Sequence, residues 1–163
     1  MIIPYRVDVP MDRWPFANWT IILVTLVVSV LCFTVLADLD PENLSEADVR
    51  KFELVAKMVL SRDSLSGLVG HMLLHGDWMH LLGNMLFLWV FGNAVCAKLG
   101  NIRFPIVYLI LGVVAGAAHI AIDKHPVIGA SGAINGVVGM FLVWYPLNQV
   151  SCMAWFFGPR FFS

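Results

Sequence analysis

Runs of apolar residues, separated by polar segments, form the main pattern of this chain. A helix that crosses a bilayer needs about 20 mostly apolar residues. Four runs come close to that length, at positions 18–37, 79–97, 104–122 and 129–147. The first of them contains no charged residue. The pattern therefore predicts an all-α, polytopic membrane protein, a helical bundle with four transmembrane helices.

A polar segment at positions 38–63 separates the first two runs. Within it, Ser45 is a suitable helix N-cap and is followed by apolar residues at roughly helical spacing. These residues are Ala47, Val49, Phe52, Val55, Ala56 and Val59. We expect an amphipathic helix in this first loop, lying on the membrane surface or on the protein.

The chain is expected to consist of a short N-terminal segment and one membrane domain. Positions 1–17 precede the first run and are predicted to be cytoplasmic or interfacial, whereas positions 18–163 form the membrane domain. A new apolar run begins near position 151, after the fourth predicted span. Because membrane proteins rarely end within such a run, this domain is expected to be incomplete and to belong to a longer chain.

Composition supports a membrane location and excludes several classes of function. Of the 163 residues, 60% are hydrophobic and 13% are charged, against about 45–50% and 25% in soluble domains. A domain this small cannot bury so much apolar surface in its own core. The formal net charge is -1, so nothing indicates a nucleic-acid partner. The cysteines, Cys32, Cys96 and Cys152, form no CxxC pair and indicate neither a disulfide framework nor a thiolate metal site.

Polar side chains interrupt the start of the second predicted span. His80 and Asn84 are four residues apart, so a helix places them on one face, and His71 and His75 have the same spacing just before the span. Ring and amide N–H groups that point the same way in a dry pocket can stabilise an oxyanion. Such groups can equally form hydrogen bonds that hold helices together.

A second polar cluster opens the fourth predicted span. Ser131 lies between Gly129 and Gly132, at the expected start of a helix, where free N–H groups favour a negative charge. This arrangement suits a serine nucleophile whose own amide helps to hold the oxyanion. Alternatively, Gly132, Gly136 and Gly139 form a stripe of small residues for close helix packing. Both clusters are expected on the same side of the membrane.

In order and spacing, these motifs resemble the rhomboid family of intramembrane serine proteases. The first cluster matches HxxxHxxxxHxxxN, and GASG at positions 129–132 matches GxSG. The stretch GNAVCAKLG at positions 92–100 is also similar to the family's second helix end. The resemblance covers roughly positions 18–147. It implies a bundle of six core helices around a water-filled cavity that opens to one side of the membrane.

The resemblance also implies roles for the site residues. Ser131 would be the nucleophile, and His80 and Asn84 would stabilise the oxyanion together with the Ser131 amide. Gly129 would belong to the serine loop that borders the oxyanion site. The reaction would be peptide hydrolysis in or near a transmembrane segment of a substrate protein, through an acyl-enzyme, without a metal or other cofactor.

Other positions have a supporting role or depart from the family pattern. His71 and His75 match positions that support the junction between loop and helix. The family's general base is a histidine in an Ala-His-x-x-Gly context of a sixth helix, which these 163 residues do not contain. His119 matches no base, and Cys96 stands where the family usually has glutamate. The 163 residues alone are therefore expected to be inactive.

Two other functions remain open from the sequence. One is a rhomboid-like protein without catalysis that binds transmembrane clients. The other is a metal-binding membrane protein based on His71, His75 and His80, although no HExxH motif is present. For each of these functions the expected location is an integral, multi-pass protein of a lipid bilayer, most simply the bacterial cytoplasmic membrane. The basic residues favour a cytoplasmic N-terminus only slightly. Substrate identity and oligomeric state are not encoded in any motif of the chain.

Overall fold

The computed structural model describes residues 2–39, 43–62, 66–123 and 125–154. Its elements are β1 (Ile2–Val7), α1 (Phe16–Ala37), α2 (Glu46–Met58), α3 (Gly67–Gly70), a 3₁₀ turn (His71–Leu73), α4 (Trp78–Phe87), a π-helical turn (Leu88–Gly92), α5 (Asn93–Leu99), α6 (Arg103–Ile122), α7 (Ser131–Trp144) and β2 (Val150–Ala154). The described part of the chain is mainly helical, which confirms the predicted helical membrane bundle.

Three of the described helices are long and apolar enough to cross a membrane. They are Phe16–Ala37, Trp78–Leu99 and Arg103–Ile122, and the second of them joins α4, the π-helical turn and α5. These helices correspond to the first three predicted spans.

The predicted fourth span is longer than the helix that forms there, so the count of four transmembrane helices is not confirmed. Helix α7 has 14 residues and a length of about 21 Å, whereas the hydrocarbon core is about 30 Å thick. The helix ends at Trp144 because Tyr145 leaves the helical region, with φ -130° and ψ 51°. Pro146 follows, and a proline disfavours helical geometry in the residue before it.

The amphipathic helix of the first loop is confirmed as α2. The Ser45 hydroxyl accepts a hydrogen bond from the backbone N–H of Asp48 (3.2 Å), and the Asp48 carboxylate accepts one from the Ser45 backbone N–H (3.3 Å). This reciprocal capping box satisfies N–H groups that a helix start leaves without partners. None of the residues of α2 is buried within the protein.

A small antiparallel sheet, which the apolar pattern does not predict, joins the two ends of the described chain. Strand β1 pairs with β2, with Ile2 opposite Ala154 and Val7 opposite Val150. The register shifts between Pro4 and Arg6, as expected where proline supplies no backbone donor. Part of the apolar run near position 151 is thus a strand, and positions 155–163 lie outside the described residues.

Helices α6 and α7 pack closely through small residues. A Cβ on Gly132 would lie 2.6 Å from the Cβ of Ala115, and one on Gly136 would lie 2.7 Å from a methyl carbon of Leu111. Larger side chains at these two positions would push the helices apart. The packing interpretation is therefore correct for Gly132 and Gly136, whereas a Cβ on Gly139 would have no neighbour within 4 Å.

A group of polar residues, here called the Asn18 network, joins α1 to the π-helical turn. The Asn18 side chain is fully buried and donates to the Leu88 carbonyl (3.0 Å) and to the Asn93 side-chain oxygen (2.8 Å). The indole N–H of Trp19 donates to the same Asn93 oxygen (3.1 Å). A π-helical turn interrupts the regular backbone hydrogen bonding, and here the freed Leu88 carbonyl has a side-chain donor.

Helix α3 and the 3₁₀ turn enter the bundle between α1 and α6. The Ser29 hydroxyl of α1 donates to the carbonyl of Leu73 (2.7 Å), and Met72 packs against Gly112 of α6. Ser29 lies about 20 Å along the axis from the start of α1. The turn His71–Leu73 therefore lies at membrane depth and leads directly to the start of α4.

Candidate functional site

A hydrogen-bonded chain, here called the His75 network, links α1 to α4. A backbone carbonyl can only accept a hydrogen bond, so the Ser29 hydroxyl donates its proton to the carbonyl of Leu73. Because this proton is used, the Ser29 oxygen must act as the acceptor towards His75 Nδ1, which lies 2.9 Å away. His75 then carries its proton on Nδ1, and its Nε2 accepts from the Asn84 amide (2.9 Å). The partners thus assign one neutral tautomer to His75.

Burial keeps His75 in this neutral form. Its side chain is 6% exposed, and the loss of hydration lowers its pKa to about 4, with the neighbouring His80 adding to the effect and Asp77 opposing it. At neutral pH the Nε2 lone pair is therefore available to Asn84. Because one amide hydrogen of Asn84 is held by His75, the other has a fixed direction.

His80 lies one turn before Asn84 and is positioned by the start of α4. The Asp77 carboxylate accepts a hydrogen bond from the backbone N–H of His80 (2.8 Å) and so caps the helix. The rings of His75 and His80 meet edge to face, with centroids 5.1 Å apart. This packing restricts the orientation of the His80 ring.

The loop before α7 contacts both side chains at Gly129. A Cβ on this residue would lie 3.0 Å from His80 Nε2 and 3.9 Å from the Asn84 amide nitrogen. Gly129 has φ +116°, a backbone conformation that other residues rarely adopt. Its N–H donates to the carbonyl of His71 (2.8 Å). Glycine is thus required here twice, for the backbone conformation and for the close approach of the loop.

Ser131 faces the cleft that His80 and Asn84 line. The cleft has a volume of about 320 Å³ and is also lined by Met79, Gly83, Phe87, Ile134 and Asn135. Ser131 is the first residue of α7, where the backbone N–H has no partner within the helix. Its side chain is exposed, and its hydroxyl has no hydrogen-bond partner among the described residues. The structure therefore brings Ser131, His80, Asn84 and Gly129 together.

A smaller cavity of about 140 Å³ on another side of Ser131 contains a residue that sequence analysis set aside. His71 and His119 line this cavity together with Gly116, Gly129 and Ser131. His119 Nε2 donates to the carbonyl of His125 (3.2 Å), so its Nδ1 carries the lone pair. The small residues Ala115 and Gly116, just before His119 on α6, leave room for the cavity. The sequence signal for His119 is an ionisable residue inside an apolar predicted span, since such residues usually face a protein interior or a cavity.

His71 and His75 have separate surroundings. His71 Nδ1 donates to the Gly67 carbonyl (2.7 Å), whereas His75 lies between Ser29 and Asn84. Among the described residues, no group of three or more His, Cys, Asp or Glu side chains is placed to hold a metal ion. Both histidines contact the elements that flank the cleft, and their supporting roles stay predictions.

Comparisons with known proteins show which family this chain resembles. The family model described as Rhomboid domain matches residues 62–161, more than half of the chain. Rhomboid protease GluP of Bacillus subtilis is 41% identical over 69 residues, which are 42% of this chain and 14% of that protein. Rhomboid protein 1, mitochondrial, of Saccharomyces cerevisiae is 34% identical over 105 residues, which are 57% of this chain and 30% of that protein.

A third relative is the putative rhomboid protease YdcA of Bacillus subtilis, 31% identical over 99 residues, or 52% of this chain and 50% of that protein. The chain thus spans half or less of the length of these curated relatives. The apolar helices and the matched domain together make it an integral membrane protein. The chain belongs to the rhomboid family.

Proposed function

We propose that this chain provides the nucleophile and the oxyanion site of an intramembrane serine endopeptidase. The main support for this proposal is that Ser131, His80 and Asn84 line the same cleft. The names of two relatives, Rhomboid protease GluP and putative rhomboid protease YdcA, support the same activity class. The proposed substrates are membrane proteins cut in or near a transmembrane segment.

In the proposed reaction the Ser131 oxygen attacks the carbonyl carbon of the scissile peptide bond. The second amide hydrogen of Asn84, a ring N–H of His80 and the Ser131 backbone N–H would donate to the oxygen as it gains negative charge. The tetrahedral intermediate then expels the amine and leaves an acyl-enzyme on Ser131. Attack by water on the ester releases the second product and restores the serine hydroxyl.

Removal of the Ser131 hydroxyl proton requires a base. No described residue forms a hydrogen bond with this hydroxyl. A serine hydroxyl is a poor nucleophile without a base in hydrogen-bond reach. The resemblance assigns this role to a histidine of an Ala-His-x-x-Gly segment, which is not among these 163 residues. We therefore propose activity for the protein that includes such a segment, and we expect the 163 residues alone to be inactive.

A fluorophosphonate probe on the full-length protein in detergent tests this proposal. Wild type should be labelled, and Ser131→Ala should lose labelling completely. Ser151→Ala in strand β2 is the matched control, since it removes a serine hydroxyl at a site distant in the fold and should leave labelling unchanged. Labelling of Ser131→Ala at the wild-type level would exclude Ser131 as nucleophile.

A second candidate function is the binding of transmembrane clients without cleavage. The absence of a described hydrogen-bond partner for the Ser131 hydroxyl favours it. A client protein would then be captured equally by wild type and Ser131→Ala and would remain intact with both. Cleavage by wild type alone would reject this alternative. A location in the bacterial cytoplasmic membrane is also part of the proposal, and it is supported by the two relatives from Bacillus subtilis.

A further inference from the structure

A cavity of about 160 Å³, here called the sheet cavity, lies between β1 and the π-helical turn. Strand β1 contributes Tyr5, Arg6 and Val7 to its wall, and Trp89 of the π-helical turn and Asn93 of α5 lie opposite. Polar and apolar atoms contribute similarly to this wall. A ligand that fits the cavity must therefore carry a polar group next to an apolar part.

The irregular register of β1 explains how neighbouring residues of one strand line the same cavity. Successive side chains of a regular strand point to opposite faces. Here Pro4 pairs with Cys152 and Arg6 pairs with Ser151, so Tyr5 is an extra residue without a partner on β2. Such a bulge redirects side chains, and both Tyr5 and Arg6 line the cavity.

Asn93 presents a fixed hydrogen-bond donor at the cavity. Its side-chain oxygen accepts from the Asn18 amide (2.8 Å) and from the indole N–H of Trp19 (3.1 Å). An indole N–H can only donate, so the oxygen of Asn93 faces Trp19 and its NH₂ group points the other way. This NH₂ group has no acceptor among the described residues and is not one of their buried polar atoms without a partner. It is therefore accessible to a ligand, unlike the two bound amide hydrogens of Asn18.

Arg6 supplies a positive charge at the same cavity. Its side chain is exposed and has no ion-pair or hydrogen-bond partner among the described residues. The acidic residues that follow it, Asp8 and Asp12, do not line the cavity. A guanidinium and an amide NH₂ group together offer several N–H donors and no nearby acceptor. This set of donors suits the oxygens of a phosphate group, which arginine can bind through two parallel hydrogen bonds.

The position of the cavity indicates where such a phosphate comes from. Trp19 lies about 4.5 Å along the axis from the start of α1, which is long and apolar enough to span the membrane. Its ring stacks on Trp89, with centroids 6.0 Å apart, so the cavity lies near the membrane boundary. Trp89 and Tyr5 are 49% and 59% exposed, and tryptophan and tyrosine are enriched at the level of the lipid headgroups. The nearest source of phosphate is therefore the lipid headgroup layer.

We propose that the sheet cavity binds the phosphate of an anionic glycerophospholipid, with the Arg6 guanidinium and the Asn93 amide donating to its oxygens. Trp89 and Tyr5 form an amphipathic wall for the glycerol and the first part of the acyl chains. An anionic headgroup is preferred because a choline headgroup would bring a second cation close to Arg6. The site is independent of peptide cleavage, since none of its residues lines the cleft of Ser131.

Native mass spectrometry of the full-length protein, titrated with phosphatidylglycerol in detergent, tests the site. Arg6→Gln should weaken binding of the first lipid about tenfold, which is the effect of one charge-assisted hydrogen bond. Arg103→Gln is the matched control, since it removes the same charge from an exposed residue at the start of α6, outside the cavity, and should leave this affinity unchanged. Equal weakening by the two variants would indicate a general attraction between charges and would overturn the site.

The Asn93→Asp variant tests the amide separately. Aspartate keeps an oxygen that accepts from Asn18 and Trp19, but it replaces the NH₂ group at the cavity by a second carboxylate oxygen. Binding of phosphatidylglycerol should weaken by at least about tenfold, because a donor becomes a negative charge that repels the phosphate. An unchanged affinity would overturn the role of Asn93.

Two further ligands identify the source of the phosphate. Phosphatidylcholine should bind to wild type several-fold more weakly than phosphatidylglycerol, and millimolar ammonium phosphate should not displace the bound lipid. Equal affinities for the two lipids would overturn the preference for an anionic headgroup. Displacement by ammonium phosphate would assign the cavity to a free anion and overturn it as a lipid site.

Discussion

Two polar networks use different parts of α1 in opposite ways, one at Asn18 near the start of the helix and one at Ser29 in its second half. In the Asn18 network, both amide hydrogens of Asn18 and the indole N–H of Trp19 are bound to acceptors within the protein. In the His75 network, Ser29 and His75 hold only one amide hydrogen of Asn84. The other points to a side of the protein where Asn84 lines an open cleft. Asn18 and Ser29 are both fully buried.

The difference separates structural polar groups from groups that are free to act on a ligand. A fully buried side chain whose amide hydrogens both have partners, as at Asn18, serves to hold helices together. A network that fixes a donor and leaves one of its hydrogens unbound prepares that hydrogen for a charge that develops later. Burial and polarity are similar in the two networks. A functional polar group is therefore distinguished from a structural one by a donor hydrogen that has no partner and by an open space next to that donor.

The largest expected effect comes from removing the remaining donor. Asn84→Ala should lower kcat for a transmembrane substrate by roughly 10²- to 10³-fold, as expected for one oxyanion donor. KM should change little, because the lost hydrogen bond forms mainly in the transition state. The measurement is cleavage by full-length protein in proteoliposomes.

Asn18→Ala is the matched control for this prediction, since it removes an amide from the other network. It should lower the free energy of unfolding by about 1–3 kcal/mol, because two buried hydrogen bonds are lost, and should keep kcat per folded molecule. A reversed outcome, with kcat lost in Asn18→Ala and kept in Asn84→Ala, would remove the distinction between the networks.

A smaller effect is expected when the donor stays but loses its support. Ser29→Ala removes the acceptor of His75 Nδ1, so His75 can adopt the other tautomer and donate towards Asn84 instead of accepting. We expect kcat to fall roughly three- to tenfold with unchanged KM. Ser29→Thr keeps the hydroxyl and should retain most of the activity. Equal losses in the alanine and threonine variants would point to packing instead of hydrogen bonding.

The smallest effect is a pH dependence of stability that originates at His75. In the folded protein its pKa is about 4, below its ordinary value of about 6.5, so between these values only the unfolded chain binds the proton. Stability should therefore be constant above about pH 7.5 and fall as the pH decreases from there towards 4, with about 1 kcal/mol of the loss already present between roughly pH 7.5 and 6.

Denaturant titrations at several pH values measure this dependence. His75→Gln removes the titrating group and should flatten the curve between about pH 7.5 and 6. An unchanged slope in the variant would assign the dependence to another group.

Local sequence patterns predicted the residues of the open cleft but not the network behind it. The four-residue spacing of His80 and Asn84 places them on one helix face, and the glycines around Ser131 mark a helix start, so both features are readable along the chain. Ser29 is a single serine within an apolar run, and its partner His75 lies 46 positions away. Such a contact depends on how α1 packs against the turn before α4, which no periodicity encodes.

The same limitation applies to the length of α7 and to the small sheet. Because apolar residues continue beyond Trp144, the pattern predicts a complete span at positions 129–147, although the backbone leaves the helix at Tyr145. Strand β1 has no partner nearby in sequence. Its pairing with β2 becomes visible only when the helices bring the two segments to the same end of the bundle.

That sheet also sets an order for biosynthesis. Strand β1 leaves the ribosome before the helices that follow it, whereas β2 is made roughly 150 residues later. At about 5–20 residues per second, β1 waits on the order of 10 s for its partner, while the intervening helices enter the membrane. The sheet can therefore close only after all the helices between the two strands have been synthesised.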